Sequence, residues 1–134
     1  MYYGFCVPGV DPTCTSPAHA EAAPDTAKNS LLFLADSGSL GDIARANMYM
    51  TVRYNGTETN TDALTMSTCP CSERQRFGNL SAIHMWHTMD PVSEQEELRN
   101  NLTCSNWQKN RNPFVDFPAL ADYYYAYMQS TGLL

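Results

Sequence analysis

A chain of 134 residues fits one domain and is long enough to bury a real core. With 43% hydrophobic and 16% charged residues, its composition excludes a disordered chain. A formal charge of -6 argues against nucleic-acid binding by overall attraction, because phosphate contacts rely on Lys and Arg. Such binding would need a local basic patch, and the candidates are Arg74 with Arg76, and Arg99 with Lys109 and Arg111. The longest apolar run, Leu31 to Ala35, is far short of the ~20 residues that span a bilayer. The opening MYYGFCVPGV has no basic region followed by a long apolar one, so no secretory leader is expected there.

Residues 1 to 30 read as irregular. They hold Pro8, Pro12, Pro17 and Pro24 with Gly4 and Gly9 and show no sustained period. The first helix is predicted in GDIARANMYMTVRYNG, where Ile43, Ala46, Met50 and Tyr54 form one apolar stripe. Asp42 suits the start of its dipole, and Asn55-Gly56 is a natural stop. The polar stretch 55–77 reads as a loop.

A second helix is expected from about Asn79 to Met89, with Leu80, Ile83, His84 and His87 roughly on one face. Pro91 ends it, since the residue before a proline is excluded from helical geometry. A third restarts at Ser93, where SEQE is a capping box and Leu98, Leu102 and Ser105 continue the inner face. Asn112-Pro113 closes it. The last element, DFPALADYYYAYMQSTGLL, admits Pro118 in a first helical turn, although the tyrosine run at 123–125 also suits a strand. The reading is a mainly α chain with long irregular loops, divided into a Pro- and Cys-containing segment 1–40 and a helical region 41–134.

Five cysteines are many for this length. Cys69-Pro70-Cys71 is too tight for paired zinc ligands, so disulfides in an oxidising compartment explain the count better. The odd cysteine implies a free thiol or a partner outside the chain. Asn55-Gly56-Thr57, Asn79-Leu80-Ser81 and Asn101-Leu102-Thr103 fit the glycosylation acceptor pattern, which agrees with that compartment.

His84 and His87, three apart on a helix, can share a face with Asp90 or Glu94 as an oxygen ligand. The i, i+4 spacing of a specific zinc helix is missing, and Trp86 and Met89 beside them point to packing. No nucleophile elbow and no phosphate-cradling glycine loop occurs. Glu96 and Glu97 read as a solvated helix face.

Three segments taken in order resemble the C-terminal half of the endonuclease I family of secreted and periplasmic nucleases. They are GDIARANMYMTVRY (Gly41 to Tyr54), WHTMDPVSEQEELRN (Trp86 to Asn100) and WQKNRNPFVDFPALAD (Trp107 to Asp122). Lys109 departs from the resemblance, for the family usually carries glycine there. The resemblance implies the helical part of an α+β His-Me finger fold. It also implies phosphodiester hydrolysis of DNA, in some members RNA, with a histidine activating water beside a divalent ion, usually magnesium.

The family's E-H-V-x-P and H-N-L-x-P…V-N-x-x-R-x-N motifs, which carry that histidine and those ligands, are not matched here. The single histidine before Gly41, His19 in SPAHAEAAP, corresponds to nothing catalytic. No catalytic or metal-binding residue is therefore assigned. Arg99, Lys109 and Arg111 stand as candidate contacts to nucleic acid, against a structural use in holding a tight turn. The expectation is a fragment or diverged form that is inactive alone, binds nucleic acid weakly or not at all, needs no cofactor of its own and lacks an N-terminal half. A non-catalytic secreted binding module is the alternative. Family habit points to an extracellular or secretory location.

Overall fold

The computed structural model describes residues 2–68 and 76–131. Cys69, Cys71, Arg74 and the side chain of Arg76, named above, lie outside the described part.

The first 35 residues are not irregular throughout. Strands β1 (Tyr2–Tyr3), β2 (Ala27–Lys28) and β3 (Leu32–Leu34) join β4 (Thr65–Ser67) and β5 (Arg76–Asn79) in one sheet of order β2-β3-β1-β5-β4. β1 runs parallel to β3, with Tyr2 opposite Leu32, and parallel to β5, with Tyr3 opposite Gly78. β2 and β3 pair antiparallel. Strands of two to four residues leave little period to read, which is why proline and glycine dominated the sequence signal. A Cys6–Cys14 disulfide ties the opening loop beneath β2, where Ala27 and both cysteines are buried together.

Helices α1 (Leu40–Arg53), α2 (Leu80–Met89), α3 (Glu94–Thr103), α4 (Pro113–Asp116) and α5 (Leu120–Ser130) follow, with one π-helical turn over Cys104–Gln108. The fold is α+β. The tyrosine run is helical, because alternate tyrosines serve different faces: Tyr124 packs against Phe114 while Tyr123 stays exposed. No helix among the described residues is long and apolar enough to cross a membrane.

The core forms where α1 crosses α2 and α5 over the sheet. It gathers Leu40, Ala44 and Met48 from α1, Leu80, Ile83 and Trp86 from α2, and Met66, Phe114, Ala121 and Met128. The expected stripe on α1 is therefore rotated. Ala46 and Met50 are exposed, and the buried line runs Gly41, Ala44, Arg45, Met48, Thr51. Small and polar side chains fill this line because a paired arginine and a close helix contact replace bulk hydrophobes. α3 departs in the same way: Leu98 and Leu102 are exposed and Ser105 faces solvent, while Glu96 and Asn100 are its buried residues. On α2, Leu80 and Ile83 are buried as read, but His84 and His87 sit only at the edge and Trp86 takes the central place.

Candidate functional site

The segments singled out in the sequence converge on one buried guanidinium. Arg45, on the inner line of α1, has no exposed surface. Its Nε donates to Glu96 Oε1 at 2.8 Å, and its Nη2 lies 2.5 Å from Glu96 Oε2. That second contact is close in charge but off-line for a hydrogen bond. Nη1 donates to the Asp90 carbonyl at 2.9 Å and faces His87 Nδ1 at 3.4 Å. Charges removed from water in this way need almost every polar edge filled, and here they nearly are.

Local sequence chemistry delivers each partner. Asn79 caps α2 by accepting from the Ala82 amide, and Asp90 ends that helix before Pro91. Asp90 then turns back, its Oδ2 accepting from the Gly41 amide at 2.8 Å. Ser93 caps α3, accepting from the Glu96 amide at 3.2 Å. Only half of the expected capping box forms, because the Glu96 carboxylate reaches Arg45 instead of the Ser93 amide. Gly41 is required by contact: a Cβ there would meet the Asp90 carbonyl oxygen at 1.9 Å and the Arg45 guanidinium at 2.7 Å.

A second ring of polar groups closes the far side. Asn112 donates from Nδ2 to the Arg45 carbonyl at 3.1 Å and caps α4 by accepting from the Phe114 amide. Asn100 accepts from the Asn112 amide at 2.9 Å and donates to Asp116 at 3.1 Å. The RNP turn is thus fixed from three sides.

Burial pushes the Glu96 carboxyl up, against the pull of Arg45. For Asp42 burial also raises the carboxyl, yet the Arg99 hydrogen bond and the nearby guanidinium charges outweigh it and hold it below the ordinary aspartate range. His87 titrates below its usual value, first because it is partly buried and second because Arg45 repels a second positive charge; Asp122 opposes both. A neutral His87 can accept from Arg45 Nη1.

The three candidate nucleic-acid contacts occupy separate settings. Arg99 pairs with Asp42 at 2.7 Å on the surface. Arg111 grips Asp116 with two nitrogens, Nε at 2.7 Å and Nη2 at 2.5 Å, and also reaches Asn101. Lys109 ends the π-helical turn in a left-handed conformation, φ 60°, and its ammonium returns to the Ser105 carbonyl. That backbone explains why glycine suits this position, since glycine adopts it without a Cβ penalty.

His84 bonds Asp122 at 2.8 Å and stacks on Tyr125 with ring centroids 4.2 Å apart. Asp90 and Glu94 do not join it, and Asp90 serves α1 instead. Among the described residues no three His, Cys, Asp or Glu side chains come together to hold a metal. The carboxylates nearest the buried centre, Asp42 and Glu96, already neutralise Arg45 and Arg99. A divalent ion does not fit there. Among the described residues Cys104 makes no disulfide.

Sequence reasoning missed Arg45. The available signal was its position between Gly41 and Met48, at the helical spacing of the buried line, where an arginine must be paired.

The profile of the family described as Endonuclease I matches residues 15–119, and the chain belongs to that family. Over 82 residues, 61% of the chain, it is 38% identical to an "Extracellular ribonuclease" of Bacillus amyloliquefaciens and 37% identical to one of Bacillus subtilis (strain 168). The match covers 28% of the length of each of these relatives. No solved structure matches it.

Proposed function

We propose that this chain is the helical framework of an extracellular nuclease of the His-Me finger kind, with RNA or DNA as the substrate of the whole. In this reading the chain positions a catalytic histidine and a divalent ion carried by other residues, and it cleaves no phosphodiester bond by itself. The observation that carries the reading is the closed network around Arg45. The residues of the resembling segments, in GDIAR, WHTMDPVSEQEELRN and RNP, spend their polar groups on one another. In this reading Arg99, Lys109 and Arg111 serve the same framework before any phosphate, since each has a local acceptor. The names of the two relatives support an extracellular location and a ribonucleolytic whole. Leu98, Leu102 and Trp107, which face solvent on α3 and the π-helical turn, offer apolar surface against which further structure can pack.

The test is incubation of the pure chain with plasmid DNA and with single-stranded RNA in magnesium, with and without EDTA. No cleavage is expected; EDTA-sensitive cleavage would overturn the reading. A second reading, a non-catalytic secreted binding module, is favoured by the Cys6–Cys14 disulfide and by the continuous core from Leu40 to Met128. It predicts a monomer with a sharp melting transition and little binding of a hydrophobic dye. The framework reading predicts strong dye binding at the α3 face, lost when Leu98, Leu102 and Trp107 are made polar.

A further inference from the structure

The three acceptor sequences for asparagine-linked glycans are not equivalent in the fold. Asn79 is committed to structure. Its Oδ1 caps α2, its Nδ2 donates to the Thr68 carbonyl at 3.1 Å, and it is half-buried beside Leu80, which is 1% exposed. A sugar on that nitrogen would replace one of its two protons and crowd the link from α2 to the residue after β4. Asn101 sits inside α3 and accepts from the Arg111 guanidinium. Residues two apart on a helix do not face each other, so the Thr103 hydroxyl is turned away from the Asn101 amide.

Asn55 differs on every count. It follows α1 in an exposed turn, with Gly56 at φ 82° and both Asn55 and Thr57 open to solvent. Gly56 satisfies that backbone at no steric cost. The Asn55 Oδ1 accepts from the Thr57 amide at 3.1 Å and from the Thr57 hydroxyl at 2.7 Å. The hydroxyl is therefore already placed against the acceptor amide, which leaves Asn55 Nδ2 directed away from both donors.

We infer that Asn55 is an asparagine-linked glycosylation site of the folded protein, and that Asn79 and Asn101 are not. The donor class is an oligosaccharide linked through pyrophosphate to a lipid. In the transfer, Asn55 Nδ2 bonds to the anomeric carbon, the bond from that carbon to the pyrophosphate oxygen breaks, and the lipid pyrophosphate leaves with the electron pair. One Nδ2 proton passes to a base of the transferase. Occupancy in the organism rests on the extracellular reading above, whereas the acceptor geometry does not.

The test treats the purified, disulfide-intact full chain with an oligosaccharyltransferase and a lipid-pyrophosphate-linked oligosaccharide, then maps modified peptides by mass. One glycan per chain is expected, at Asn55, and lost in both Asn55→Gln and Thr57→Ala. The urea-unfolded chain, which frees all three acceptors, is the control for transferase competence. An unmodified folded chain beside a modified unfolded one overturns the inference, as does a glycan at Asn79 or Asn101 in the folded chain. Neither result bears on nuclease framework function, which the cleavage assay tests separately.

Discussion

The Arg45 centre and the His84 edge are built from neighbouring stretches of sequence, yet they carry opposite weight. His84 meets Asp122 where the carboxylate is 70% exposed, and such a pair contributes little in water. Arg45 meets Glu96 where neither side chain reaches solvent to more than 3%. Removing either partner leaves a bare charge in the interior. Conspicuous residue types thus mark the weak region, and an arginine that looks ordinary in the sequence marks the strong one.

The comparison can be broken most severely at its centre. Arg45→Ala is expected to cost about 3–5 kcal/mol, read from urea denaturation, because Glu96 stays buried without its partner. His84→Ala, measured the same way, is expected to cost under about 1 kcal/mol. Gly41→Ala comes next. The added methyl group would collide with the Asp90 carbonyl, which is backbone and cannot swing aside, for a loss of about 1–3 kcal/mol and a lowered melting temperature.

The caps rank below these. Ser93→Ala should cost about 1 kcal/mol, since one amide of α3 loses its acceptor. Lys109→Gly should do the reverse and stabilise by about 0.5–1 kcal/mol, relieving the left-handed backbone without touching the core.

A pH scan sharpens the same contrast. The folded His87 binds its proton less readily than the unfolded chain does, whose imidazole titrates near about 6.5. As pH falls below that value the unfolded state gains the proton first, so stability declines. His87→Gln should flatten the melting temperature between about pH 7 and the lower folded value.

Much of this was legible in the sequence. Capping at Ser93, the stop at Pro91 and the helix ending near Asn55 all follow from side-chain chemistry acting over a few residues. The short strands were not legible, for two to four residues give too little alternation to recognise. The inner faces of α1 and α3 were misread for a different reason. Apolar spacing marks the core only when the core is apolar, and here Arg45, Glu96 and Asn100 occupy inner positions that Ala46, Met50, Leu98 and Leu102 were expected to fill. The burial of Arg45 and Glu96 is decided by a partner 51 residues away in sequence, and that of Asn100 by partners 12 and 16 residues away on the next turn, which no pattern within one helix records.

A double-mutant cycle on Arg45 and Glu96 tests the central claim most directly, with Arg45→Met, Glu96→Leu and the double variant unfolded in urea. If the buried pair organises the framework, each single change costs several-fold more than the same edit at Arg99 and Asp42. The double variant then recovers a large part of the loss, with a coupling above about 2 kcal/mol. Additive losses, or single variants as stable as the Arg99 and Asp42 pair, would contradict the account.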